Sequence, residues 1–252
     1  MSTHLPAPSI SILHQEQTWF VIAKPSGIHT IAQAPKADKR KGDEVAADDV
    51  QPDGVDARKP EPSVESWLRA ARPDLADLDE AGLVHRLDFD TSGCVIVAKT
   101  RKARERLRDA FSGRGGDIRK IYLARLEGCF ASRVLSGSFT LSFSSRHKGS
   151  AKVSVHTRGE PETIGRCRWT VRSTTGNGAA ATTLVEVELL GPGRRHQIRA
   201  GFAHEGNPLV GDTLYGAEPM GTDALPAQGI CLHAWRVEVD GVMVECPLPA
   251  WV

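Results

Sequence analysis

Apolar and polar positions alternate with two different periods along this chain. The run Trp19 to Ala23 (WFVIA) reads as a strand that ends in a Pro-Ser-Gly turn. The segment LVHRLDFDTSGCVIVAKT reads as an apolar strand, a turn and a second apolar strand, and RKIYLARLEG reads as another strand. Period-two patterns in AKVSVH, RCRWTV, TTLVEVELL and HAWRVEV make the second half strand-rich. Helical signals are few. SVESWLRAAR starts at Ser63 and stops at Pro73. In TRKARERLRDAF, Thr100 is placed to cap a helix whose Ala103, Leu107, Ala110 and Phe111 share one face. A third helix near RRHQIRAGFAHEG is closed by Gly206-Asn207. Strands that mostly follow one another, with few helices, predict an α+β fold: a mixed, mostly antiparallel central β-sheet with flanking helices.

Residues 32–62 break the pattern. They are rich in Pro, Asp, Lys and Ala and almost lack large apolar residues, so a flexible surface insertion is expected there. The 252 residues suffice for a sizeable core, and 40% hydrophobic with 25% charged residues is ordinary for a globular protein. No apolar run is long enough for a membrane helix, and the N-terminus lacks a secretory pattern, so no membrane association is expected. Five cysteines without a close pair argue against a disulfide framework and a zinc knuckle, and point to a cytoplasmic protein with reduced thiols.

Net charge is only +1, which carries no nucleic-acid signal. Its distribution does more: residues 99–125 hold ten basic residues against three acidic ones. That excess is either an electrostatic footprint for a polyanion or a solvated helix face.

Three constellations concentrate chemistry. In HRLDFDTSG, Arg86, Asp88 and Asp90 alternate to one side and His85 and Leu87 to the other, with Thr-Ser-Gly allowing a sharp turn that leaves the Asp88 carboxylate reachable. A surface hairpin with a local ion pair explains the same residues. In GPGRRHQIRAGFAHEGNPLVGDTLYG, His196 and Arg199 share a helix face behind a Gly-Pro-Gly loop whose N–H groups could meet a phosphate. A packed helix with exposed basic residues fits equally. In RKIYLARLEG, Tyr122 lies within an apolar alternation where a core role is the commoner one.

Taken together, these stretches resemble a family. VHRLDFDTSGCVIVAKT is similar to the HRLDxxTSGxxxxAK signature of the RluA-type pseudouridine synthases. KPSG at Lys24 to Gly27, RKIYLARLEG, GRRHQIR with NPLVGDTLYG, and CLHAWRV resemble its other motifs, in the family's order. Two departures stand out: Gly191-Pro192 replace the usual Thr or Ser before Gly-Arg, and Ala200-Gly201 replace a Val-His pair. The resemblance implies one catalytic domain over 1–252, without the N-terminal S4-type domain of many relatives.

It also implies an activity: isomerisation of specific uridines in a ribosomal or transfer RNA stem-loop to pseudouridine, by a monomer. Asp88 takes the family's place for the carboxylate that attacks the sugar or supports it as a cation. Arg199 is implied to pair with Asp88, and Tyr122 to pack on the base and share in proton transfer. Arg86 is implied to enter the RNA where the uridine has flipped out, and Leu232 to line the uracil pocket. Lys99, Arg101, Lys102, Arg104 and Arg108 are the expected phosphate contacts. No metal or organic cofactor is expected, because the reaction is neither redox nor hydrolytic. Two other readings stay open. One is a metal-dependent phosphoryl hydrolase on Asp88, Asp90 and a histidine; the other is a catalytically silent RNA-binding protein.

Overall fold

The two uninterrupted apolar runs become adjacent strands buried on both faces. The computed structural model describes residues 9–33, 62–116, 118–130, 134–145, 147, 150–219 and 229–252. Most of the expected insertion at 32–62 lies outside them. The described strands are β1 (Ser11–Gln15), β2 (Trp19–Lys24), β3 (Ser92–Ala98), β4 (Ile118–Glu127), β5 (Ser136–Ser144), β6 (Ser154–His156), β7 (Ile164–Thr175), β8 (Thr182–Leu190), β9 (Leu232–Val239) and β10 (Val242–Glu245). They form one sheet in the order β1-β2-β3-β9-β4-β8-β7-β5-β6, with β10 added beside β9. Among these pairings β3 with β9 is parallel and the rest are antiparallel, so the sheet is mixed and mostly antiparallel.

Successive residues of β2 enter different cores. Phe20 and Ile22 pack with Val64 and Leu68 of α1 (Val64–Ala71) and with Ile198 and Phe202 of α3 (Gln197–His204). Trp19 and Val21 pack on the other side, with Ala103 and Leu107 of α2 (Arg101–Phe111). Covered faces on both sides remove the need for polar alternation. In β7 the alternation returns: Cys167 and Trp169 are buried while Arg166 and Arg168 are exposed.

Local signals placed the helices. Ser63 and Ser66 exchange backbone-to-hydroxyl bonds of 3.0 Å each, closing a reciprocal cap on α1. Thr100 Oγ1 accepts from the Ala103 N–H at 3.2 Å, and Ala103, Leu107 and Ala110 are buried as their spacing requires. In α3 the unexpected Gly201 has a packing reason: a Cβ there would lie 2.3 Å from the Phe139 ring.

Two expectations fail in instructive ways. The segment before β3 is not a strand; beyond a bridge between Leu83 and Val97 it is extended but unladdered. Side chains take the place of a neighbouring strand. Thr30 Oγ1 donates to the Leu87 carbonyl at 2.9 Å and accepts from its N–H at 3.1 Å. His85 Nε2 accepts from the Ile96 N–H at 3.1 Å while its ring stacks on Phe111, 4.2 Å between centroids. Burial holds this imidazole neutral, with its pKa down to about 3. The second failure is His196, which lies just ahead of α3 in the left-handed region (φ 53°), not on the helix.

The turn also shifts. It falls at Phe89-Asp90, whereas Ser92 and Gly93 already belong to β3. Gly93 serves the sheet instead. It meets Ala234 at the parallel seam, where a Cβ would lie 2.2 Å from the Ala234 carbonyl oxygen, at φ 119°. Gly93→Ala therefore must open the seam or strain the backbone. Its expected cost is ~3 kcal/mol of unfolding free energy. Equilibrium urea denaturation measures it, and an unchanged midpoint would show that the seam yields freely.

Candidate active site

The loop from His85 to Thr91 is clamped from below by the end of β2. Lys24, 1% exposed, donates to the carbonyls of Pro25 (3.0 Å), Phe89 (3.0 Å) and Thr91 (2.7 Å), which engages all three ammonium protons. Burial lowers its pKa to about 7, against the opposing pull of Asp90 and Asp88. Ser26 Oγ donates to the Asp90 carbonyl at 2.7 Å, and the Gly27 N–H donates to the Phe89 carbonyl at 3.0 Å. With Thr30 gripping Leu87, the residues on both sides of Asp88 are fixed to one segment, 24–30. The turn then lifts the Asp88 side chain into a cavity of about 690 Å³.

Opposite Asp88 stands Arg199 on α3. Its Nε and Nη2 donate to the two carboxylate oxygens of Asp212, at 2.6 and 2.9 Å. Its remaining Nη1 reaches Asp88 Oδ2 at 3.3 Å. Burial works against the guanidinium charge, but the bonds to Asp212 and the charges of Asp212 and Asp88 outweigh it and raise its pKa. Asp212 is 1% exposed, whereas the Asp88 side chain is 27% exposed. The buried carboxylate thus holds the arginine and the open one faces the cavity. Among the described residues Asp88 Oδ1 makes no hydrogen bond. His196 Nε2 approaches Asp88 Oδ2 at 3.8 Å.

The floor comes from the sheet. Tyr122 lies in β4 where the β4–β9 register shifts between Ile121 and Leu123, and Leu232 opens β9 beside it. Both are buried and both line the cavity. Burial and the nearby Asp88 charge push the Tyr122 phenol up, so it stays protonated. Phe89, 43% exposed, packs its ring 4.8 Å from His29 at the same cavity.

The basic residues divide into two groups. Arg86 is exposed on the cavity, and its side chain makes no ion pair or hydrogen bond among the described residues. Arg101 and Lys102 are exposed at the start of α2. Arg108 lines the cavity and pairs with Glu80 at 2.9 Å. Lys99 and Arg104 are engaged inside the fold. Lys99 Nζ donates to the Glu16 carbonyl at 2.5 Å. Arg104 bonds to Glu80 (2.6 Å), Asp79 (3.3 Å) and the Leu83 carbonyl (3.1 Å).

Asp88, Tyr122, Arg199, Arg86 and Leu232 therefore converge on one cavity from four stretches of chain. Sequence reasoning assigned no role to Asp212, Tyr215, Lys24 or Thr30. Asp212 and Tyr215 do lie within the stretch NPLVGDTLYG and Lys24 opens KPSG, which is the available signal for those three; none of the family-like stretches contains Thr30.

Known proteins resemble this chain in sequence and in fold. A family model described as RNA pseudouridylate synthase matches residues 18–204. The ribosomal large subunit pseudouridine synthase D of Xylella fastidiosa is 33% identical over 238 residues, covering 91% of this chain and 60% of the relative. Its namesake in Escherichia coli K12 is 34% identical over 167 residues, covering 65% of this chain and 46% of the relative. The chain thus spans about half the length of the curated relatives it matches. In fold it is similar to human RNA pseudouridylate synthase domain containing 4, with a TM-score of 0.65 at 17% identity over 95% of this chain and 89% of that one. Human RNA pseudouridylate synthase domain containing 1 gives 0.61 at 21% identity over 96% and 84%. The family match spans most of the chain and contains Asp88, Tyr122 and Arg199, so this chain belongs to the RNA pseudouridylate synthase family.

Proposed function

We propose that the chain is an RNA pseudouridine synthase acting on a uridine of structured RNA. The carrying observation is the Asp88 carboxylate, held through Oδ2 by an arginine that Asp212 immobilises, with Oδ1 open to a nucleotide-sized cavity. The names of the curated relatives favour large-subunit ribosomal RNA as the substrate.

The reaction is an isomerisation. The N1–C1′ bond breaks with its electron pair going to the uracil, the base turns, and C5 bonds to C1′. The hydrogen on C5 is lost and N1 gains one, so the formula is unchanged. Asp88 lies where a carboxylate can attack or support the electron-poor sugar. Tyr122, neutral in its buried site, packs on the base and exchanges a proton as a phenol can. Leu232 supplies the apolar wall. The uridine must leave its stack to enter, and the unpaired Arg86 fills the gap. Phe89, solvent-exposed beside the carboxylate, offers a face for a neighbouring unstacked base. Phosphate contact falls to Arg86, Arg101, Lys102 and Arg108, since Lys99 and Arg104 are engaged in the fold.

Asp88→Asn keeps size and removes the charge. Single-turnover assays on a uridine-containing stem-loop should then show no pseudouridine while RNA still binds; appreciable product would overturn the assignment. Replacing both Arg101 and Lys102 by Ala should weaken binding to all stem-loops alike. The slope of log affinity against log salt should become shallower by about one to two units. An unchanged slope would place the start of α2 away from the RNA.

A further inference from the structure

His196 sits in a position that costs the backbone something. It is the one non-glycine residue with positive φ among the described residues that line the cavity, at φ 53° and ψ 22°. Such conformations persist where surrounding structure imposes them, and they gather at active sites. Here the side chain is placed against two groups of the site. The side chain, 10% exposed, is held between two partners: Nδ1 lies 2.8 Å from the Tyr215 hydroxyl and Nε2 lies 3.8 Å from Asp88 Oδ2.

Tyr215 decides which nitrogen carries the proton. Its hydroxyl accepts from the Val153 N–H at 3.0 Å. Burial pushes the phenol up, so it keeps its own proton. Among the described residues the acceptor for that proton is His196 Nδ1. With Nδ1 accepting, the ring hydrogen belongs on Nε2, which faces the carboxylate. The opposite tautomer would set the Nε2 lone pair against Asp88 and leave the phenol proton with no acceptor among the described residues. Arg199 adds rigidity, lying 5.4 Å from the centre of the Tyr215 ring. Burial lowers the imidazole pKa to about 4; Asp88 and Asp212 oppose this, and Arg199 and Arg195 reinforce it. The ring is therefore a neutral donor and adds no charge.

We propose that His196 is a positioning residue for the reaction. Locked by Tyr215 as the Nε2–H tautomer, it joins Arg199 in holding Asp88 Oδ2, and so commits Oδ1 to the ribose. Two donors on one carboxylate oxygen stop the carboxylate from rotating about its Cβ–Cγ bond. The 3.8 Å separation is longer than a hydrogen bond, so this role requires it to shorten with substrate bound, as catalytic contacts commonly do. The activity part of this inference rests on the pseudouridine synthase reading; the tautomer does not.

The experiment has two arms. The first is imidazole ¹⁵N NMR of histidine-labelled protein, in wild type and in Tyr215→Phe. The expected result is a protonated Nε2 and a bare Nδ1 at His196 in wild type, with that preference lost in the variant. A bare Nε2 in wild type overturns the proposal. The second arm is single-turnover pseudouridine formation at saturating RNA by His196→Gly and His196→Gln. Glycine suits φ 53°, so His196→Gly relieves the backbone while removing the donor. Its rate should fall about thirtyfold with RNA affinity within about twofold of wild type, and His196→Gln, which restores an N–H, should recover part of that loss. A wild-type rate in His196→Gly overturns the proposal even if the tautomer is as expected. Absence of product from wild type itself would instead fault the functional reading, and the NMR arm would still decide the tautomer.

Discussion

The site depends on a guanidinium that has almost no access to water. Arg199 is 6% exposed, and a charge so placed costs several kcal/mol unless it is paired and hydrogen-bonded. Asp212 satisfies that need with both carboxylate oxygens, using Nε and Nη2. A fork gripped at two points has one free edge, and that edge faces Asp88. The geometry of the Asp88 carboxylate is therefore set by a residue that does not line the cavity. The division follows from burial: the carboxylate excluded from water supplies the fixed charge, and the open one faces the cavity, where the proposed reaction needs it.

The same logic runs through the loop that carries Asp88. Regular secondary structure would bury its backbone groups in a ladder and turn alternate side chains away. Here the loop is unladdered, and Lys24, Ser26, Gly27, Thr30 and His85 take the place of a strand. The loop is rigid without being part of the sheet, so its side chains can be aimed. Directly behind it runs the parallel seam between β3 and β9, where Gly93 lets the strands approach, and beside that seam the shifted β4–β9 register pairs Leu232 with Ala124, two residues from Tyr122. Irregularities in the sheet and in the loop coincide with the chemistry, as expected where function competes with regular pairing.

What could be read from the sequence was what is local. The caps at Ser63 and Thr100 act within three residues, and the buried face of α2 follows from spacing alone. Strand periodicity located β2, β3, β4, β7, β8 and β9, and the motif order located Asp88, Tyr122 and Arg199. What could not be read was long-range. Leu87 is paired by Thr30, 57 positions away, so its apolar neighbours imitate a strand. The charge run on α2 looked free because Glu80, 24 positions before Arg104, is silent until the chain folds. Asp212 stands 13 positions from Arg199, and its importance emerges only once burial shuts the guanidinium off from water. His196 looked helical because its spacing from Arg199 suits a helix, whereas its left-handed backbone, just ahead of α3, leaves no local signal in the sequence.

If Asp212 fixes Arg199 so that Arg199 can fix Asp88, then Asp212→Asn must disturb a carboxylate it never touches. Asparagine keeps the shape, removes the charge, and turns one arginine-facing acceptor into a donor. The measurement is the single-turnover rate of pseudouridine formation at saturating RNA, below the variant's unfolding temperature. The expected rate is lowered on the order of a hundredfold, with RNA affinity nearly unchanged. A rate within about twofold of wild type in a folded variant would contradict the chain of contacts from Asp212 through Arg199 to Asp88.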